Sequence, residues 1–399
     1  MIDRRSVIAG VAGVFAAPYV CRAAANPILK FAVFVPLSGA AASWGLGCKW
    51  VAERAAEEIN SKGGIKAGAE TYNVEAIAYE NGYNSAEGAK AAQAMLNRDG
   101  VRFIIQGIGT APVKALQSLS EKKGALLMQI AWGKSVKGPQ FPMTFTNGNT
   151  PLETFGPLFD LIKAQNPAAK TVALLSPNDA SGQEVEEESV KQYKARGFDV
   201  LVSTWYERGT TEFQPIATKL AQTKADLIDM PSVPPADAGS VFRELAVQGW
   251  KGVKVLAAGT GSDALVKVGG PSVEDVYMAT AADFGGARAT PTQRTLNEGA
   301  LKALNEPLNV LHIGVWDSAM AIKAGIEASR SVDPKVVAQK LPEIIFESSY
   351  GPTAFGGKET YGSPQQMLVP IIVTQIKKGK TEEIARVLPA ELKARLASK

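Results

Sequence analysis

The stretch from Leu29 to Asn60 constrains the fold more than any other part of the chain. Leu29 to Val35 is a short apolar run rich in Val and Phe, the pattern of a strand buried on both faces. Pro36-Leu37-Ser38-Gly39 and a loop of small residues, Ala40 to Gly45 with Trp44 inside it, come next. From Gly47 to Ile59, Val51, Ala52, Ala55, Ala56 and Ile59 recur at helical spacing, with Glu53, Arg54, Glu57 and Glu58 opposite them. A buried strand thus passes through a loop at its carboxyl end into an amphipathic helix. In open α/β sheets ligands sit at that junction, where helix N–H groups and a crevice meet.

The alternation repeats. Strand patterns at Val74 to Tyr79, Phe103 to Ile105 and Ala125 to Ile130 are separated by helix patterns at Ser85 to Arg98 and Pro112 to Lys122. A second series follows Thr150. Its helices are Pro157 to Lys163, Glu184 to Arg196, Phe213 to Thr223 and Ala236 to Gln248, and its strands are Thr171 to Ser176, Phe198 to Thr204, Asp226 to Met230, Val253 to Ala257 and Val276 to Ala281. Helices at His312 to Ser329 and Pro334 to Lys340 and a strand at Met367 to Gln375 close the chain. Such alternation predicts an α/β protein of two doubly wound parallel-sheet lobes.

With 399 residues, 46% of them hydrophobic and 21% charged, each lobe has ample material for a core. The net charge of +4 comes from scattered Lys and Arg, which gives nucleic-acid binding no support. Residues 1–25 read as a signal peptide: Arg4-Arg5, an apolar run from Val7 to Val20, and Ala23-Ala24-Ala25 for cleavage. The twin arginines fit Tat export in part, and Sec remains open. Cys21 lacks the small preceding residue of a lipidated cysteine, and no other apolar run is long enough for a membrane span, so an exported soluble protein is expected. Cleavage leaves one thiol, Cys48, read as a buried structural cysteine.

Little here suggests catalysis. His312 is the single histidine, on a long helix, and the scarcity of His and Cys excludes a metal site built from them. Gly259-Thr260-Gly261-Ser262-Asp263-Ala264, with Asp283 downstream, fits a relaxed dinucleotide fingerprint, so an exported NAD-dependent oxidoreductase stands as an alternative. The first strand-loop-helix lacks that fingerprint, and no cofactor is expected. A distributed signal is stronger. Ser38 to Trp44, Gly107 to Ala111, Ile130 to Gly133, Pro177 to Gly182, Pro231 to Pro235 and Gly259 to Ser262 all follow strands and hold small or hydroxyl residues or a single Trp. Facing one cleft, they would clamp a small polar molecule.

Pro36-Leu37-Ser38-Gly39, Trp44-Gly45, the helix ending Ala-Glu-Glu-Ile-Asn and Gly63-Gly64-Ile65 together resemble the opening of periplasmic solute-binding proteins of the branched-chain amino-acid (Leu/Ile/Val-binding) family, which serve ABC importers. The resemblance runs to about Lys380 and includes Trp316-Asp317-Ser318-Ala319 and Gly351. It implies the type I periplasmic-binding fold, with a three-segment hinge near Thr146 to Thr150, Ala279 to Asp283 and Phe346 to Thr353. Lobe one would then be 26–147 plus 282–347, and lobe two 148–281 plus 348–399. It also implies a periplasmic, non-enzymatic monomer that captures a small organic molecule and presents it to an inner-membrane ABC permease. A periplasmic ligand sensor of the same fold is the alternative in that class.

By position, Gly109, Thr110 and Ala111 correspond to the loop that holds a ligand carboxylate, and Ile130 and Trp132 to the next such loop. Trp44 matches a family aromatic, and Ser181 a ligand-facing position; Ser38, Ser232 and Thr260 complete the candidate site. Two departures bear on the ligand. The family's acid after the strand Val253 to Ala257 is missing, Asp263 being the nearest carboxylate, and Glu80-Asn81-Gly82 replaces Asp-Asp after the second strand. An α-ammonium without a counter-ion in a desolvated cleft binds poorly, so the expected ligand is carboxylate-bearing or neutral, with an apolar or aromatic body.

Overall fold

The computed structural model describes residues 26–398; the signal-peptide reading and Cys21 lie outside them. Two sheets form. The first takes β1 Ile28–Val35, β2 Ile65–Ala67, β3 Glu70–Glu80, β4 Phe103–Gly107, β5 Leu126–Gln129 and β6 Thr144–Thr146, and the second takes β7 Thr171–Pro177, β8 Asp199–Tyr206, β9 Leu227–Asp229, β10 Val253–Val255 and β11 Tyr277–Met278. The chain then returns to the first sheet with β12 Ile345–Ser348, β13 Gly351–Gly356 and β14 Gln366–Met367, and ends in the second with β15 Ile371–Lys377 and β16 Lys380–Val387. The spatial orders are β12-β13-β14-β6-β5-β4-β1-β3-β2 and β16-β15-β11-β10-β9-β7-β8. The central strands pair in parallel, and antiparallel strands close both edges of the first sheet and the β16 edge of the second. The second sheet's other edge strand, β8, is parallel to β7; both sheets are therefore mixed.

Helices cover both faces of each sheet. Lobe one carries α1 Ala42–Ser61, α2 Ser85–Gln93 and α3 Thr110–Lys123. Lobe two carries α4 Pro151–Gln165, α5 Ala180–Ala195, α6 Gln214–Gln222, α7 Pro235–Val247 and α8 Asp263–Gly269. α9 Pro291–Leu304, α10 Val310–Ser329 and α11 Pro334–Lys340 return to lobe one. Strand alternation divides the cores. Phe31, Val33 and Val35 of β1 pack with the α1 and α10 side, and Ala32 and Phe34 with the α2 and α3 side. In β7, Val172 and Leu174 face α4 and α5, while Ala173 and Leu175 face α6 and α7.

The carboxyl end of the chain differs from the expected division. Met367 to Gln375 reads as one strand, but Pro370 cannot donate to a ladder and breaks it. Gln366–Met367 therefore stays in the first sheet and Ile371–Lys377 enters the second. The third crossing lies at residues 368–370 rather than 346–353, and β12 to β14 belong with lobe one. After the short α12 Lys358–Tyr361, the last helix, α13 Ala390–Ala397, crosses back to lobe one, with Leu392 packed on Ala354 and Leu368. The helix expected from Pro157 begins at Pro151, where a Thr150–Glu153 capping box starts it. At this first crossing the buried Lys137 ammonium meets Thr150 Oγ1 (3.0 Å), Gln366 Oε1 (3.0 Å) and Glu153 Oε1 (3.4 Å).

Each lobe repeats one close approach. A Cβ on Gly45, in the first turn of α1, would lie 1.7 Å from the Pro36 carbonyl oxygen, and one on Gly182 in α5 would lie 1.9 Å from that of Pro177. Each helix thus begins hard against the end of the strand before it. Gly45→Ala and Gly182→Ala are each expected to lower the unfolding free energy by at least about 2 kcal/mol in urea titration, the scale of forced overpacking. An unchanged midpoint would show that the helix starts can shift freely.

Candidate functional site

The first lobe's site is built from three strand ends. The Asn81 side chain, fully buried after β3, donates to Phe34 O of β1 (3.1 Å) and to Ile108 O after β4 (2.9 Å). Its own oxygen accepts from Tyr83 N at 2.9 Å. Glu80 accepts from Leu37 N (2.8 Å) and Gly82 N (2.7 Å), so the departure at Glu80-Asn81-Gly82 is a staple across adjoining loops. It holds Tyr83 in the left-handed region (φ 53°), with its ring 5.5 Å from that of Trp44. Trp44 sits in the first turn of α1, since the helix starts earlier than the small-residue loop suggests.

Across the cleft, two helix amino termini meet. Thr110 opens α3 behind Gly109 (φ 89°), and Ser181 lies in the first turn of α5, which Asp179 caps through Gly182 N at 2.8 Å. Thr110 N donates to Ser181 Oγ (3.2 Å), and Ser181 Oγ donates to Thr110 Oγ1 (3.0 Å). Gly133 N also donates to Thr110 Oγ1, at 3.2 Å. At the rim Glu184 of lobe two accepts from Ser135 N (2.9 Å) and Ser135 Oγ (2.5 Å). Arg208, paired with Asp179, places its guanidinium 4.9 Å from the Tyr83 ring. The Lys134–Glu187 pair (2.9 Å) is solvent-exposed and contributes no more than about 1 kcal/mol. The lobes are in direct contact in this conformation.

The contact encloses a cavity of about 20 Å³, room for about one water at the ~15 Å³ that a water needs on this measure. Among the expected residues, Trp44, Gly109, Ile130, Trp132, Ser181 and Thr260 line it, and Thr110 is hydrogen-bonded to Ser181 beside it. Three do not. Ser38 is exposed ahead of α1, Ala111 lies outside the wall, and Ser232 is buried with its hydroxyl unpartnered. Tyr83, Ile108 and Leu311 complete the wall and were not singled out from the sequence. Tyr83 follows a strand end as the other candidates do, so that rule could have found it; Leu311, on a helix from a distant segment, carries no local signal. The wall has no Asp or Glu, and Asp263 is exposed away from it. A larger hollow of about 760 Å³ around Asn166, Lys224 and Trp250 lies at the amino ends of the second sheet's strands, away from the cleft.

The residues that could suggest catalysis are structural. His312 is buried, with its Nε2 3.0 Å from Ser43 O and its Nδ1 accepting from Asn309 N (3.2 Å), so it is held neutral. Burial pulls its pKa down to about 4, against the pull of the Ser43 carbonyl. Cys48 is buried against Leu311 O, and burial pushes its thiol pKa up. Among the described residues no group of three or more His, Cys, Asp or Glu could hold a metal. No helix among them is long and apolar enough to cross a membrane.

Asp317 is buried on α10 and accepts from Ser349 N (2.5 Å) and Ser349 Oγ (3.0 Å). Burial raises its pKa to about 7, outweighing those hydrogen bonds. An acid whose folded pKa is raised favours folding at low pH and loses that contribution as pH rises from about 4 towards about 7. Asp317→Asn should therefore flatten the fall in melting temperature between pH 5 and pH 8 relative to the parent. Superimposable pH profiles for the two proteins would contradict the raised pKa.

The family profile described as "Periplasmic binding protein" matches residues 28–381. The leucine-, isoleucine-, valine-, threonine- and alanine-binding protein of Pseudomonas aeruginosa is 23% identical over 333 residues, covering 83% of this chain and 86% of its own. A leucine-binding protein from Thermotoga maritima superposes with a TM-score of 0.75 at 17% identity, over 91% of this chain and 100% of its own. A solute-binding protein of an ABC transporter from R. palustris, solved with benzoate, superposes with a TM-score of 0.75 at 15% identity, over 91% and 97% of the two chains.

Proposed function

The chain belongs to the periplasmic binding protein family, and from that premise we propose that it captures a small carboxylate with an apolar or aromatic body for an ABC importer. One observation carries the choice of ligand. The amino termini of α3 and α5 face each other through Thr110 and Ser181, beside a wall of Trp44, Tyr83, Ile108, Ile130, Trp132 and Leu311 without a carboxylate. Two positive helix ends, two hydroxyls and the Thr110 N–H suit an anion, each end favouring it by about 0.3–1 kcal/mol. The same wall offers an α-ammonium no counter-ion, and a buried unpaired ammonium is strongly disfavoured. The relatives' names include both amino acids and benzoate, and the wall favours the benzoate class.

Binding is a population shift. The direct Ser181–Thr110 contact occupies the place of the carboxylate, so the lobes part, admit the acid and close with its oxygens bridging the two hydroxyls. No bond is made or broken, and no cofactor takes part. The protein works as a monomer in the periplasm, exported by a Tat or Sec leader, and offers its closed form to an inner-membrane permease.

A thermal-shift panel tests this. Benzoate and phenylacetate should raise the melting temperature, corresponding to about 2.7 kcal/mol at a hundredfold excess over Kd, and leucine and isoleucine should not. Stabilisation by the zwitterionic amino acids alone would sink the reading. Thr110→Val removes one hydroxyl from the carboxylate and should weaken an aromatic acid at least about tenfold by calorimetry. Unchanged affinity would remove Thr110 from the site.

A further inference from the structure

We propose that the cleft continues into a second chamber at the lobe crossings, and that the solute is an elongated carboxylate whose far end carries a hydroxyl received by Asn147. This rests on the carboxylate reading above. The chamber, about 40 Å³, is lined by all three crossings through Asn147, Thr280 and Pro370, with Gly314, Asp317 and Tyr350 from lobe one. Ile130, Trp132 and Leu311 line both chambers. A ring lying against the Trp132 indole therefore has the Thr110–Ser181 anion site at one end and the crossings at the other.

Asn147 sets the chemistry of the far end. Its side chain is 1% exposed, and its Nδ2 donates to Gln106 Oε1 (2.5 Å), Ser318 Oγ (2.7 Å) and Gly314 O (3.1 Å). Gln106 cannot turn over, because its own Nε2 donates to Leu311 O at 2.8 Å. Turning the Asn147 amide would set its oxygen against two acceptors, Gln106 Oε1 and Gly314 O. The orientation is therefore fixed, and Asn147 Oδ1 is left buried without a partner.

Two of the polar neighbours have partners of their own: Thr280 Oγ1 donates to Gly259 O (2.7 Å), and both Asp317 oxygens accept from Ser349. Asp317, the one carboxylate of this wall, is held in place by those two bonds. The unmatched group is a neutral acceptor in a largely aliphatic wall, which calls for a neutral donor, a hydroxyl.

Calorimetry with benzoate, 3-phenylpropanoate and 3-(4-hydroxyphenyl)propanoate tests the proposal. The parent should bind the hydroxylated long acid about tenfold more tightly than its unsubstituted partner, and Asn147→Leu should bring that ratio close to one. Should Asn147→Leu fail to fold, Gly314→Ala serves. Its Cβ would lie 3.4–3.5 Å from the Asn147 amide, an ordinary contact, and the methyl should weaken both long acids about tenfold by filling the chamber. Binding of benzoate with neither long acid, a hydroxyl ratio of one in the parent, or long-acid affinities untouched by Gly314→Ala would each overturn the second chamber and leave the carboxylate reading standing. Failure of all three acids to bind would overturn both.

Discussion

Two helix amino termini pointing at one another across a cleft are the arrangement on which the rest depends. Their dipoles are alike in sign, and where they meet Ser181 Oγ accepts from Thr110 N and donates to Thr110 Oγ1. An anion between them would relieve that opposition and be held by both lobes at once. The packing nearby fixes where the helix ends lie. Gly182 presses α5 onto Pro177, Gly45 presses α1 onto Pro36, and Asn81 ties the ends of β1, β3 and β4 into one frame.

A buried polar chain runs from that frame towards the crossings. Cys48 and Gln106 both donate to Leu311 O, Gln106 orients Asn147, and Asn147 meets α10 at Gly314 and Ser318. Buried hydrogen bonds of this kind specify one arrangement, because any rearrangement strands a polar group away from water. The second lobe reaches the crossings through the Thr150–Glu153 cap, which the first lobe's Lys137 grips together with Gln366 of β14. The crossing segments are thus gripped at defined points, as a joint between rigid bodies requires.

Much of this was legible in the sequence where the signal is local. β1, β4 and β5 are apolar runs, α1 and α2 carry helical periodicity, and six of the ten candidate residues line one cavity because the loops after parallel strands converge. The failures are non-local. Ser38 and Ser232 follow strands as Thr260 does, yet local backbone direction leaves Ser38 in solvent and buries Ser232 outside the cavity. Met367 to Gln375 is rich in β-formers on both sides of Pro370, and which sheet each half joins depends on the neighbours present to pair with it. Leu311 and Asn147 matter through partners more than a hundred residues away, which no local pattern encodes.

Small-angle X-ray scattering, with and without a saturating aromatic carboxylate, tests the central claim most directly. The expected result is a free protein more extended on average than this closed structure, and a bound form whose radius of gyration falls towards, and close to, the value calculated from it. Identical curves in the presence and absence of an acid shown to bind would mean that the lobes do not close on their ligand, and would contradict that claim.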